Sequence, residues 1–239
     1  MHNISTKKLF LIFFILFFLW KNGVQEFLWQ KIYASARAEY NEEELPLVEV
    51  ITPIETPVIE QMKFGKETVQ MKKIIEYKAW ARVMYVDIYD HDFYIGFKPL
   101  SAKYDIFYNT VVPLDISLFT GEIGKNWKKY KVSHEYRALW VGHGNLPYNQ
   151  KEVSNNHTIP ANNNIRRAFD IMKQGRVVYL EGYWVDWWGK VDGIYDINFD
   201  SPREIGQYHD MNHLYGGLIS GKCRQIYITK VVYNGYIYE

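Results

Sequence analysis

The sequence predicts a mainly β domain with one short helix, folded as a compact antiparallel barrel or curled sheet behind an N-terminal membrane helix. Three observations predict it. Residues 75–85 alternate apolar and polar side chains with the period of two that sets one face of a strand on a core. Aromatic residues make up 17% of the chain, with 20 Tyr against 13 Phe, and these side chains favour strands and half-wet surfaces. Residues 9–20 form an unbroken apolar run, LFLIFFILFFLW, unlike anything that follows.

The apolar run is preceded by His2, Lys7 and Lys8 and closed by Lys21 and Asn22, the pattern of an export signal. Its 12 residues make a helix of about 18 Å, against a hydrocarbon core of about 30 Å. A small-x-small cleavage site should follow closely, yet the nearest, Ala34-Ser35-Ala36, lies downstream of Glu26, Trp29 and Lys31. An uncleaved signal anchor is therefore expected, with Lys8 and Lys21 snorkelling and Trp20 at the interface; a cleaved signal and a buried soluble helix are the alternatives. That makes residues 9–20 the membrane contact of a single-pass protein whose globular domain lies outside the cytoplasm, on the periplasmic side in a Gram-negative cell.

Residues 24–38 are helix-compatible and continue the anchor across the interface, giving a first segment of 1–38. From 39 to 60 the chain carries Glu42, Glu43, Glu44, Glu49 and Glu55 with Pro46, Pro53 and Pro57, and no Lys or Arg. Like charges repel and proline removes backbone donors, so residues 39–71 read as an extended spacer lifting the domain, 72–239, off the membrane.

Within the domain, Asp90-His91-Asp92 supplies turn chemistry between the strand at 75–85 and a second at 93–97, a hairpin ended by Pro99. Residues 104–109 and 127–134 are further strand candidates. Residues 142–164, rich in Gly, Asn and Pro, read as a long irregular loop. Asn164 then caps a short helix with Ile165, Ala168, Phe169 and Met172 on one face, and Gly175 ends it. Val177, Tyr179, Glu181 and Tyr183 alternate in the next strand, where Gly182 marks a bulge or bend. A strand at 194–199, a polar loop at 201–222 and a last strand at 224–233 complete the chain. Several strands around one helix resemble an OB-fold in pattern, an analogy that assigns no ligand.

Two stretches carry a closer likeness. Asn155-Asn156-His157-Thr158-Ile159-Pro160-Ala161, followed by the helix and then Gly175-Arg176-Val177-Val178-Tyr179-Leu180-Glu181-Gly182-Tyr183, resembles a family of uncharacterised bacterial membrane-anchored proteins. That family pairs an Asn-x-His-x-Ile-Pro-Ala loop with a Gly-x-x-Val-x-Leu-x-Gly-Tyr strand, and Gly221-Lys222-Cys223 is similar to its Gly-x-Cys. Its Arg-Asp-Asp-containing loop is replaced here by Ser201-Pro202-Arg203-Glu204 and an insertion reaching Gly217. The resemblance implies an anchor plus a domain, and no activity.

Composition narrows the function classes. With 48% apolar and 23% charged residues the chain is ordinary globular material, and a net charge of +1 gives no case for nucleic acid, which needs a concentrated basic face. The single cysteine, Cys223, excludes an intramolecular disulfide and reads as a buried thiol at the head of a strand.

His209 and His213 stand four apart in His-Asp-Met-Asn-His, a weak metal candidate, since Asp210 replaces the Glu of zinc-protease helices and glycines bracket the segment. A solvated loop is the plainer reading, and no cofactor is expected. Among Asn155, Asn156 and Asn163, His157 is either an acid or base near neutral pH or a structural residue bonding backbone groups of its loop. Tyr183, Trp184, Trp187 and Trp188 either stack on a ligand or pack a core. Asp87, Asp90 and Asp92 read as turn chemistry rather than a cation site. The function expected is a non-catalytic, membrane-anchored envelope protein that binds another protein or a surface polymer through Asn155, His157, Tyr183, Trp184 and Arg203. The alternative is a hydrolytic enzyme using His157, or His209 and His213 with a metal.

Overall fold

A computed structural model describes residues 6–19, 23–89, 100–135, 137–191, 195–199, 218–220 and 222–239. The protein is mainly β: among the described residues a nine-stranded sheet and a small three-stranded one hold the strands, with few helices. Helix α1 (Thr6–Leu19) covers most of the apolar run, and α2 (Gln25–Tyr33) follows it. Among the described residues no helix is long and apolar enough to cross a membrane.

Strand β1 (Ala36–Arg37) is short; β2 (Glu49–Phe64) and β3 (Glu67–Ile88) form a long antiparallel hairpin. Residues 49–64, read from sequence as part of a free spacer, are thus hydrogen-bonded as a strand. Pro53 and Pro57 are tolerated because β2 is paired on one side only, and its register slips between Pro53 and Val58.

Further along, α3 (Leu100–Val111) is a helix where residues 104–109 predict a strand. Phe107, Tyr108, Val111 and Val112 are buried from one side of it, a helical spacing that the aromatic content of the segment disguises. Then come β4 (Leu114–Phe119), α4 (Gly121–Lys125), β5 (Lys131–Glu135) and β6 (Ala138–Gly142). Residues 127–129, expected in a strand, make a 3-10 turn instead.

The irregular loop predicted at 142–164 contains β7 (Val153–Pro160), fully buried from Val153 to Ile159. Next, α5 (Asn163–Asp170) starts where the sequence predicts a helix, but its cap is Asn162, whose Oδ1 accepts from the Ile165 N–H at 3.0 Å, not Asn164. The remaining strands are β8 (Val177–Val191), β9 (Tyr195–Phe199), β10 (Leu218–Ser220), β11 (Lys222–Tyr233) and β12 (Tyr236–Tyr238). The strand predicted at 93–97 lies outside the described residues.

Five strands close a ring of hydrogen bonds: β3 pairs β4, β4 pairs β7, β7 pairs β11, β11 pairs β8, and β8 returns to β3. Every pairing in it is antiparallel except β7 with β11. The period of two then sorts side chains to two faces. Tyr77, Ala79, Leu114, Ile116, Leu180, Trp184, Ile226 and Ile228 pack inside the ring with Ile165, Ala168 and Phe169 of α5. Val69, Met71, Val185, Trp187 and Tyr227 pack outside it against Phe107 and Tyr108 of α3.

Candidate functional site

Registers align one row of polar residues across four strands on the ring's outer face: Asp87 of β3 pairs Asp115 of β4, Asp115 pairs His157 of β7, and His157 pairs Gln225 of β11. A carboxylate buried in the middle of a sheet needs donors, and Asp115, fully buried, has several. Its Oδ1 lies 2.8 Å from His157 Nδ1 and accepts from Arg137 Nη1 at 2.8 Å, while Oδ2 accepts from the Tyr89 hydroxyl at 3.2 Å. Burial first and then the Asp115 charge push the Tyr89 hydroxyl well above its ordinary pKa, against the pull of Arg137, so it keeps the proton it donates.

Arg137 comes from the turn between β5 and β6 and has a left-handed backbone, φ 60°. That conformation is uncommon for a side-chain-bearing residue and is held here from several sides. Asn155 Nδ2 donates to its carbonyl at 2.7 Å, and the guanidinium reaches Val112 O at 3.0 Å and Asn109 Oδ1 at the end of α3. The guanidinium also lies over the rings of Tyr89 and Tyr108, 3.5 and 4.8 Å from their centroids. Arg137 therefore ties the end of α3 and the β5–β6 turn to Asp115.

A second imidazole completes the group. His134 stacks on Tyr85, with ring centroids 4.7 Å apart and planes 15° from parallel. Its Nδ1 is 3.7 Å from Asp87 Oδ2 and its Nε2 is 3.9 Å from Asp115 Oδ2. Burial lowers its pKa, with Asp115 and Asp87 pulling the other way. Ser117 donates to Asn155 Oδ1 at 3.0 Å, and Trp187 Nε1 to Gln225 Oε1 at 3.4 Å.

Chemically, the couple orients the His157 ring. A proton on Nδ1, donated to Asp115, leaves Nε2 as the accepting nitrogen of the ring. Such a set can bind hydrogen-bonding groups and can shuttle a proton. Among the described residues no group of three or more His, Cys, Asp or Glu side chains is arranged to hold a metal ion.

Of the residues predicted from sequence, Asn155 and His157 are brought together here, on a strand rather than in an irregular loop. His157 meets the Asp115 side chain. Tyr183 is half-buried with Lys73 Nζ 4.9 Å from its ring centroid. Trp184 and Trp187 are fully buried on opposite faces of β8, so neither indole forms an exposed stacking rim. Arg203, His209 and His213 lie outside the described residues. Cys223 pairs in register with Asn155.

Asp115, Arg137, His134 and Gln225 were not singled out from sequence. A signal for Asp115 was present: Asp115 and Ser117 interrupt the apolar positions Leu114, Ile116 and Leu118 with period two, which puts a carboxylate on a buried strand.

The ring's inner face has its own polar group. Arg224, fully buried, donates through Nη1 to Glu49 of β2 and stacks 4.6 Å from the Trp184 ring centroid. Among the described residues its Nε and Nη2, with Trp184 Nε1 and Asn156 Oδ1, make no hydrogen bond. A buried ion pair of this kind penalises loss of either partner more than it stabilises the fold. Glu49 thereby fastens the β2–β3 hairpin to the ring interior.

Two open clefts lie elsewhere. One of about 440 Å³ flanks the hairpin turn at Lys66 and Trp188, and one of about 410 Å³ lies between Tyr130, Tyr148 and Glu152. No protein-family model, curated protein or solved structure matches the chain.

Proposed function

We propose that this chain is a membrane-anchored, non-catalytic envelope protein whose domain is an OB-like barrel that binds a protein or a surface polymer over the Asp115–His157 face. Topology supports the barrel reading. Numbered in chain order, the ring strands β3, β4, β7, β8 and β11 pair as 1-2-3-5-4-1, the one parallel pair is 3 with 5, and α5 connects 3 to 4. OB-folds take oligonucleotides and oligosaccharides on the face of strands 2 and 3, between the 1–2 and 4–5 connections. The observation that carries the reading is that Asp115, Ser117, Asn155 and His157 form a buried polar layer of that face of β4 and β7, with Tyr85 of β3 exposed beside it. A near-neutral chain favours an uncharged or mixed-charge partner over nucleic acid. The apolar run of α1 supports the anchor.

The test is crosslinking and pull-down of full-length protein from membranes, comparing wild type with His157→Gln and Tyr85→Ala. Tyr85, 39% exposed, covers His134 at the accessible edge of the cluster. Wild type is expected to retain its partner and both variants to lose about tenfold, roughly 1.4 kcal/mol, with circular dichroism unchanged. Equal capture by folded variants overturns the site.

A second reading, hydrolysis, is favoured by the Asp115–His157 couple beside a second imidazole. It predicts a cleaved product in the wild-type eluate that His157→Gln does not make.

A further inference from the structure

We propose that α2 lies on the lipid surface, so that the domain is seated against the membrane by its α2–α5 end rather than held away from it. The inference rests on the anchor reading above and concerns a different segment. In a helix docked on a soluble domain, the apolar stripe faces the core and the polar residues face water. Helix α2 is inverted. Its domain side is Glu26, Trp29, Gln30 and Tyr33. Glu26 pairs with Lys173 and accepts from Asn234 Nδ2 at 2.9 Å, while Trp29 and Tyr33 join the core and lie beneath Arg167. Its outer side is Val24, Phe27, Leu28, Lys31 and Ile32, spaced i, i+3, i+4, i+7, i+8. The four apolar residues are 40%, 56%, 38% and 66% exposed.

What covers that side follows from its neighbours. Helix α1 is apolar from Leu9 to Leu19, so the outer face of α2 follows, five residues on in sequence at Val24, a segment that already favours lipid. At 14 residues α1 spans about 21 Å, short of a hydrocarbon core. A second apolar segment lying in the interface supplies burial that so short a helix lacks. The outer face carries no acidic residue, and its one cation, Lys31, lies 5.7 Å from the Phe27 ring centroid, where it can reach a headgroup while the ring enters the acyl region. With a single cation, attachment depends on apolar insertion rather than on anionic lipid. The docked side of α2 then fixes orientation: α5 and β12 lie next to the bilayer, because α2 packs on α5, and Ser35, just after it, donates through its backbone to Ile237 at 2.8 Å.

Full-length wild type reconstituted in phosphatidylcholine vesicles containing a phosphatidylcholine with a diazirine near its headgroup tests this. After irradiation and proteolysis, lipid adducts are expected on the peptide holding residues 24–33 as well as on α1. In the variant Phe27→Ser/Leu28→Ser/Ile32→Ser the adducts on 24–33 should fall about tenfold while those on α1 persist, since insertion scales with apolar area. Adducts on α1 alone in wild type overturn the seating of α2 and leave the anchor standing. Adducts on neither segment overturn both.

Discussion

His134 is a buried imidazole between two carboxylates, and its titration follows from that position. Burial, the dominant influence, holds its folded pKa below the ordinary 6.5. The unfolded chain therefore takes up the proton first as pH falls. Stability is fully present above 6.5, declines below it, and the decline ends once the folded form is protonated as well. Thermal unfolding should show the wild-type midpoint dropping between about pH 7 and pH 5. In His134→Phe, which keeps the ring stacked on Tyr85, the drop should be shallower; an unchanged slope would mean that His134 titrates as it does in the unfolded chain. Asp115 and His157 show the other limit at this scale. Their types were visible in sequence, but their pairing depends on the β4–β7 register, which no local pattern in the chain specifies.

Among the elements, β8 and β11 display the tightest backbone approach. A Cβ on Gly182 would stand 2.0 Å from Tyr227 O and 2.9 Å from Ile228 Cα, both main-chain atoms that cannot swing aside. The register of β11 slips between Ile228 and Lys230, opposite this glycine, so the irregularity read from Gly182 is present but lies on the partner strand. Gly182→Ala should destabilise by about 2–3 kcal/mol or more through overpacking. Urea unfolding would register a lower midpoint at constant m, and an unchanged midpoint would refute the close approach. Elements with one wet face were legible: β3, β8 and α5 show their periodicity because water contrasts with the core. Those buried on both faces were not. In β7, Val-Ser-Asn-Asn-His-Thr-Ile-Pro is polar yet inaccessible, Asn155 and His157 being bonded to Ser117 and Asp115 across the strand and Thr158 to its own backbone, so hydropathy alone makes it a loop. In β2, glutamates and prolines resemble a linker because an edge strand tolerates both.

For the molecule as a whole, the ring closes through pairings remote in sequence, β7 with β11 and β3 with β8, which is why strand content was legible while barrel and curled sheet stood as alternatives. The N-terminal part divides where the apolar run ends, and residues 25–48, read from sequence as anchor extension and spacer, belong with the domain. Residues 9–15 of α1 lie 47–74% exposed. Residues 25–48 are fastened at many points: Glu26 to Lys173, Ala38 N to Gly235 O at 2.9 Å, Val48 O to Trp80 N at 3.0 Å, and Leu47 O to Gly121 N at 2.6 Å. Segments that bury apolar surface and satisfy backbone groups contribute to stability, and segments that do neither are dispensable to it. A chain starting at residue 20 should therefore unfold within a degree or two of full length in detergent. One starting at residue 36, without α2 and the bond from Ser35 to Ile237, should lose on the order of 5–10 °C, because several kcal/mol of packing go with Trp29 and Tyr33. Equal midpoints for the two truncations would place α2 outside the folding unit. The exposed apolar side of that helix would then have nothing rigid to orient it.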